Sequence, residues 1–289
     1  SNKSFAGDLD RLIFFGSVAG IISLCVPLAL FPEQGGIILG KAFDFLTQQF
    51  GVFYVAGASL TFAFLLYLAF SRHGNIRLGN SAPEFSTLSW AAMLFCGGIG
   101  TSVLYWGVVE WAYYFQAPPY GVTPQTPEAM LWSVSYPIFH WGLMGWSLYV
   151  LPGVAIAYSY YVRGAKSLRL SDACEPVIGR QAQGALGRAI DLLFVVGLVG
   201  ACSIGIGLAV PLIGACVAHL LGVDRAALGF TLDIVVILVV TCIFAGSVWM
   251  GLEKGIKRLS DLNVLLAMLL LVLILVTGPT LFIVELGFE

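Results

Sequence analysis

The residues best suited to chemistry in this sequence are aromatic rather than nucleophilic. The segment YPIFHWGLMGWSLYVLPG carries Trp141, Trp146 and Tyr149 inside an apolar run. On a helix turning 100° per residue, Tyr149 falls between the two tryptophans on a face about 140° wide. Gly142 and Gly145 leave room between the rings. Interfacial belts place Trp and Tyr at the ends of membrane spans, whereas these three reach into the body of theirs. Ring faces that converge on one cavity attract a quaternary ammonium through the negative face of each π system. The chemistry predicted is recognition of a large, weakly hydrated cation.

A second stretch, FCGGIGTSVLYWGVVE from Phe95 to Glu110, offers backbone instead of rings. It holds Gly97, Gly98, Gly100 and Gly107, with Thr101 and Ser102 among them. Each glycine weakens a helix by about 1 kcal/mol relative to Ala. Carbonyls freed at membrane depth are tolerated only where they line a cavity. The stretch is therefore expected to form one wall of the cation cavity.

The remaining polar groups are sparse. Glu110 would cost roughly 2.5 to 3.5 kcal/mol at the bilayer centre, so it either faces a pathway or reaches the outer interface. Asp191 and Asp233 fall in the first turn of their spans and read as helix caps. Ser260 and Asp261 open the last span in the same way. His140 and His219 read as hydrogen-bonded structural histidines. No Ser/His/Asp or paired-carboxylate constellation is present, so no catalytic residue and no enzyme activity is predicted. Cys25, Cys96, Cys174, Cys202, Cys216 and Cys242 stand apart, without CxxC or Cys/His spacing. They read as small apolar residues, and no metal site or cofactor is expected beyond a sodium ion discussed below.

These groups must be held by membrane helices. Of 289 residues, 59% are hydrophobic and 10% charged, against roughly 25% charged in soluble domains. The expected class is an all-α integral membrane protein, and a net charge of -2 leaves no footprint for nucleic acid. The first apolar run is too long for a cleavable signal peptide and no small-residue cleavage site follows it, so none is predicted. About seven stretches meet the roughly 20 residues a bilayer requires. They run Leu12 to Phe31, Gly51 to Phe70, Leu88 to Phe115, Leu131 to Val162, Ala189 to Leu221, Thr231 to Leu252 and Leu262 to Leu286. Several exceed one crossing, which implies tilted or broken helices. With a cytoplasmic N-terminus, all of the 14 Lys and Arg fall inside except Lys41 and Arg225. That asymmetry predicts an N-in, C-out protein of the cell inner (plasma) membrane. The loop Gly164 to Arg188 is expected to hold a short surface helix. Gln116 to Met130, with Pro118, Pro119, Pro124 and Pro127, is either an ordered cap or a plain connector.

Four stretches in this order resemble the betaine/choline/carnitine transporter family: RLGNSAPEFSTLSWAAMLFCGGIGTSVLYWGVVEWAYYF, FHWGLMGWSLYVLPGVAIAYSYYVRG, ACSIGIGLAVPLIG and GLEKGIKRLSD. The resemblance covers the chain from about Arg77 onward. It implies a LeuT-like core of two inverted five-helix repeats, preceded by two peripheral helices. Residues 1–87 would then carry the peripheral pair and residues 88–289 the first repeat, with the second repeat absent from this sequence. It implies substrate-binding roles for Trp141, Trp146 and Tyr149, which match the family's aromatic box, and for Gly98, Ile99 and Gly100 of its glycine motif. Ser102 stands where a third glycine is usual. In sodium-coupled members, backbone carbonyls corresponding to Cys96 and Ile99 help to bind the cation. The segment WGVVEWAYYFQAPPYG is closer to the carnitine exchangers, so either a symporter or an antiporter fits. The resemblance also implies a homotrimer, a small trimethylammonium substrate such as glycine betaine, choline or carnitine, and a lipid bilayer as solvent. Two function classes remain at this stage: a secondary transporter or its N-terminal half, and a transport-inactive structural or regulatory subunit that keeps the scaffold. A channel fits less well, because no ring of pore-lining charge is visible.

Overall fold

The computed structural model describes residues 10–98 and 100–288, except for the side chains of residues 100–104. Among the described residues the chain is helical, without strands. The described residues form eleven α-helices: α1 Arg11–Leu30, α2 Pro32–Phe70, α3 Thr87–Gly98, α4 Gly100–Gln116, α5 Pro127–Trp141, α6 Leu143–Tyr161, α7 Leu170–Ile178, α8 Ala185–Leu221, α9 Arg225–Trp249, α10 Lys257–Thr277 and α11 Thr280–Phe288. Among the described residues, six helical stretches are long and apolar enough to cross a membrane, with α5 and α6 counted together as one.

The helices depart from the expected spans in ways that have local causes. α2 starts at Pro32, well before the apolar run that begins at Gly51, because Pro32 occupies the first helical position, where a missing N–H costs nothing. Its early half carries Glu33, Lys41 and Asp44, so only the later half is free of charged residues. The expected span Leu88 to Phe115 is covered by α3 and α4 on either side of position 99, which lies outside the described residues. The last expected span divides at Gly278 and Pro279, with α11 resuming at Thr280; a proline cannot continue the bonding of the helix before it.

The chain folds into two compact units. One comprises the residues up to Asn80 together with Trp141–Ala201. Within it, α2 packs on α1 and α6, and α6 packs on α7. Gly16 and Gly20 of α1 lie beside Leu192 and Val196 of α8, so close that added β-carbons would stand 3.4 and 3.9 Å from those side chains. Small residues at this spacing let two membrane helices approach.

The loop Gly164 to Arg188 holds α7, as the sequence predicts. Asp191 does not cap its own helix, because α8 begins at Ala185 and runs past it. Its buried carboxylate instead accepts from the Ser171 N–H at 3.0 Å and the Ser171 hydroxyl at 2.8 Å, in the first turn of α7. Arg169 reaches Asp191 at 4.0 Å and Asp10 at 3.3 Å. Asp10 caps α1 by accepting from Leu12 N and Ile13 N. The Ile13 N–H, with the Arg169 charge adding to it, holds the Asp10 carboxyl below its ordinary value. Since an ionised Asp10 is the capping form, its contribution is present at neutral pH and is lost as pH falls through that lowered value. One chain of polar contacts thus ties the start of α1, the start of α7 and the second turn of α8 together.

The other unit comprises Ser81–His140 and the chain from Cys202 on. Here α3 packs along α10, and the segment Leu252–Ile256, a short π-helix, packs against α9 and α10. Asp233 is not a cap either: it pairs with Arg225 at the start of α9, whose guanidinium also donates to the Gly229 carbonyl at 3.1 Å. Gly229 has φ 53 and ψ -154, so Arg225 bridges a break in α9. Between α4 and α5 the proline-rich loop is ordered. Gln125 N donates to the Phe115 carbonyl at 2.9 Å, Thr126 Oγ1 caps α5 by accepting from Ala129 N, and the Tyr120 ring stands 5.1 Å from Trp132.

Replacing Asp191 by Ala would strand the buried Ser171 hydroxyl and a helix N–H together. Loss of hydrogen bonds to a charged group of this kind costs about 1.5 to 3 kcal/mol. The Asp191→Ala protein is expected to melt several degrees below the parent in detergent-solubilised thermal unfolding, whereas Asp191→Asn should lose about half as much.

Candidate functional site

The aromatic residues are positioned by a break. Gly142, with φ -86 and ψ -156, is the N-cap of α6 and separates it from α5. Pro137 already removes one backbone donor from the last stretch of α5. Trp141 is therefore the last residue of α5, and Trp146 and Tyr149 lie in the first two turns of α6. A single face of about 140° would need an unbroken helix from Trp141 to Tyr149, so only Trp146 and Tyr149 share the face of one helix. Their rings stand 6.0 Å apart with 53° between their planes. The Trp146 N–H closes the first turn of α6 on the Gly142 carbonyl at 3.1 Å. Tyr149 is 61% exposed, and Trp141 and Trp146 are half-buried.

The glycine stretch occupies the end of α3 and the start of α4. Gly98 closes α3 and Gly100 opens α4, while Ile99 lies outside the described residues. An added β-carbon at Gly97 would meet nothing within 4 Å, so packing among the described residues does not call for a glycine there. The aromatic residues belong to the first compact unit and the glycine stretch to the second.

α3 is held by the GLEKGIKRLSD segment. The Ser89 hydroxyl donates to Asp261 Oδ2 at 3.1 Å, and Lys257 Nζ donates to the same oxygen at 2.8 Å. Further along, Cys96 Sγ lies 3.8 Å from the Ser260 carbonyl. Ser260 and Asp261 therefore act inside α10, which begins at Lys257, and not as caps. The glycines of the segment have separate tasks. Gly251, at φ 81, ends the turn after α9, in the left-handed region that favours glycine. Gly255 is buried so tightly that an added β-carbon would fall 1.9 Å from the Ser247 carbonyl oxygen.

One pairing escaped the sequence reading. Glu110 Oε1 lies 2.7 Å from His140 Nδ1, and the Tyr114 hydroxyl lies 3.3 Å from the same nitrogen. Glu110 thus has a polar partner on the next helix, α5, and His140 is not an isolated structural histidine. The usable signal was the insertion cost of Glu110, which calls for a donor, with His140 the one histidine of the neighbouring span.

The family profile described as "BCCT, betaine/carnitine/choline family transporter" matches residues 12–289. The chain belongs to this transporter family. Relatives include a carnitine transporter of Acinetobacter baumannii, 36% identical over 97% of this chain and 49% of its own length. A glycine betaine transporter of Bacillus subtilis is 39% identical over 88% of this chain and 49% of its own. A high-affinity choline transport protein of Escherichia coli is 33% identical over 96% of this chain and 40% of its own. The chain thus spans about half the length or less of these family members. The helical class and the multi-pass membrane character of the sequence reading agree with both the family and the six apolar stretches.

The transporter-family segment around Gly255 offers a direct check of the joint that carries α3. Gly255→Ala has no flexible neighbour to yield, since the obstructing atom is backbone. The variant is expected to lose stability by a few kcal/mol and to reach the membrane in reduced amount, measured by quantitative blotting of membrane fractions.

Proposed function

We propose that this chain supplies one wall of a secondary transporter for trimethylammonium compounds such as glycine betaine, choline or carnitine. The observation that carries this reading is the pair Trp146 and Tyr149, with rings 6.0 Å apart directly after the Gly142 break. Two tilted rings at a helix break offer π faces, which attract a weakly hydrated cation. Three relatives are named for carnitine, glycine betaine and choline, which share a trimethylammonium head. Substrate binding is assigned to Trp141, Trp146 and Tyr149 and to the backbone of Gly98, Ile99 and Gly100. Residues 1–87 would hold two peripheral helices and residues 88–289 the first five-helix repeat, and the facing wall would come from the remainder of a longer protein, as the length of the relatives suggests.

The same reading includes a sodium ion as coupling ion, with the carbonyls of Cys96 and Ile99 among its ligands, a cytoplasmic N-terminus in the cell inner membrane, and a homotrimeric assembly. Support for the orientation is the loop asymmetry of Lys and Arg. The transport-inactive alternative has no observation in its favour, since relatives covering nearly the whole chain are named as transporters.

Uptake of labelled glycine betaine, choline and carnitine by cells expressing the full-length gene product tests the assignment. A cation–π contact is worth about 1 to 2 kcal/mol when desolvated, so Trp146→Ala should raise KM roughly 5- to 30-fold at unchanged surface expression. Unchanged KM for all three substrates would remove Trp146 from the site. Replacing external sodium by potassium should lower uptake at least about tenfold; undiminished exchange in sodium-free medium would dismiss the cation site at Cys96 and Ile99.

A further inference from the structure

The loop between α6 and α8 carries more positive charge than its own folding uses. Residues 163–188 include five basic residues, Arg163, Lys166, Arg169, Arg180 and Arg188, against two acidic ones, Asp172 and Glu175. Arg169 is committed to Asp10 and Asp191. Asp172 is taken by neutral donors instead, the Ser167 hydroxyl and Gln183 Nε2, the latter at 2.9 Å. Arg163, Lys166, Arg180 and Arg188 are exposed, and none of the four pairs with a carboxylate among the described residues.

Two apolar side chains accompany these cations. Leu168, two residues after Lys166, is 62% exposed, and Val177, three residues before Arg180, is 88% exposed. Exposed aliphatic groups beside Lys and Arg suit the headgroup layer of a bilayer, where the aliphatic part reaches the acyl boundary and the cations meet phosphates.

The backbone under this patch is held in place. α7 packs on α6, and its first turn is bonded through Ser171 to Asp191 in the second turn of α8. α6 and α8 belong to stretches long and apolar enough to cross a membrane, so the loop is tied to the level at which spans leave the hydrocarbon. A held backbone has less freedom to lose on binding than a loose one.

We propose that residues 163–188 form a docking surface for anionic lipid headgroups, with Arg163, Lys166, Arg180 and Arg188 meeting the lipid phosphates and Leu168 and Val177 entering the acyl boundary. Charge complementarity selects the partner. The unpaired charge is positive, the exposed apolar groups call for a layer of hydrocarbon beside it, and an anionic lipid supplies both. A zwitterionic lipid carries the same phosphate but offsets it with its own cation.

The test uses the purified full-length gene product in a neutral detergent, titrated with phosphatidylglycerol and separately with phosphatidylcholine, and reads the Kd of each lipid by native mass spectrometry. Phosphatidylglycerol should bind at least about fivefold tighter, the factor that a single cation near an anionic surface supplies. Replacing all four cations by Gln should bring the two lipids within about twofold of each other. The charge-keeping set Arg163→Lys, Lys166→Arg, Arg180→Lys and Arg188→Lys should preserve the preference, which separates loss of charge from a fault in folding. Soluble glycerol phosphate should leave the bound lipid in place. Equal binding of both lipids by the parent overturns the proposal, as does a preference that survives the four Gln substitutions or is lost in the charge-keeping set. Displacement by glycerol phosphate overturns it too, since the patch would then serve a free phosphate and not a lipid surface.

Discussion

Lipid as solvent is the constraint on which the rest of this structure depends. Hydrocarbon tails are as apolar as leucine, so burying leucine between helices gains little, and helices are joined by close approach and by hydrogen bonds. The burial pattern is inverted accordingly. The buried apolar residues are small, such as Ala92, Ala129, Ala209 and Ala218, and the most deeply buried larger side chains are Ser133 and Ser171. Leu, Phe, Ile and Val face outward along α1, α2, α9 and α10. Beside these close approaches, polar contacts among the described residues fasten the helices: Asp191 with Ser171, Asp261 with Ser89 and Lys257, Arg225 with Asp233, and Glu110 with His140. Each carboxylate reaches to another turn or another helix and so fastens the two pieces together.

The same constraint explains where the helices break. A free carbonyl or N–H in hydrocarbon is costly, so interruptions occur where a side chain or a neighbouring backbone is at hand. Arg225 covers the Gly229 carbonyl, and the π-helical segment around Gly255 lies directly on the Ser247 carbonyl. At Gly142 the interruption separates Trp141 from Trp146 and Tyr149, which frees three aromatic residues from the geometry of a single helix. The α5–α6 junction thus interrupts its span and gathers aromatic side chains on either side of the interruption.

Much of this was legible in the sequence, and the reasons are physical. The existence of six of the seven expected spans followed from apolar length, because a bilayer imposes a minimum run, and the helix α7 in the loop Gly164 to Arg188 followed from its mixed composition. Span boundaries were less legible. Pro32 begins α2 far ahead of its apolar core, and Gly278 with Pro279 divides the last span, since backbone bonding rather than hydropathy decides where a helix starts and stops. Reading Asp191, Asp233 and Asp261 as caps of their own spans failed for one shared reason. A carboxylate near a helix start has several donors within reach, and only the folded arrangement shows that Ser171, Arg225 and Ser89 win.

By itself, then, the sequence determined the class of solvent, the helical character, the family and the residue types that suit a quaternary ammonium. These depend on composition and on short motifs, which act through local chemistry. Tertiary structure alone decided that Glu110 meets His140 across 30 residues, that the GLEKGIKRLSD segment holds α3 through Asp261, and that Trp141 stands across a break from Trp146 and Tyr149. Each of those facts concerns a partner chosen in three dimensions. In a low-dielectric interior a buried polar group must take whichever partner packing brings within 3 Å or so, and nothing in the linear order of residues ranks the candidates.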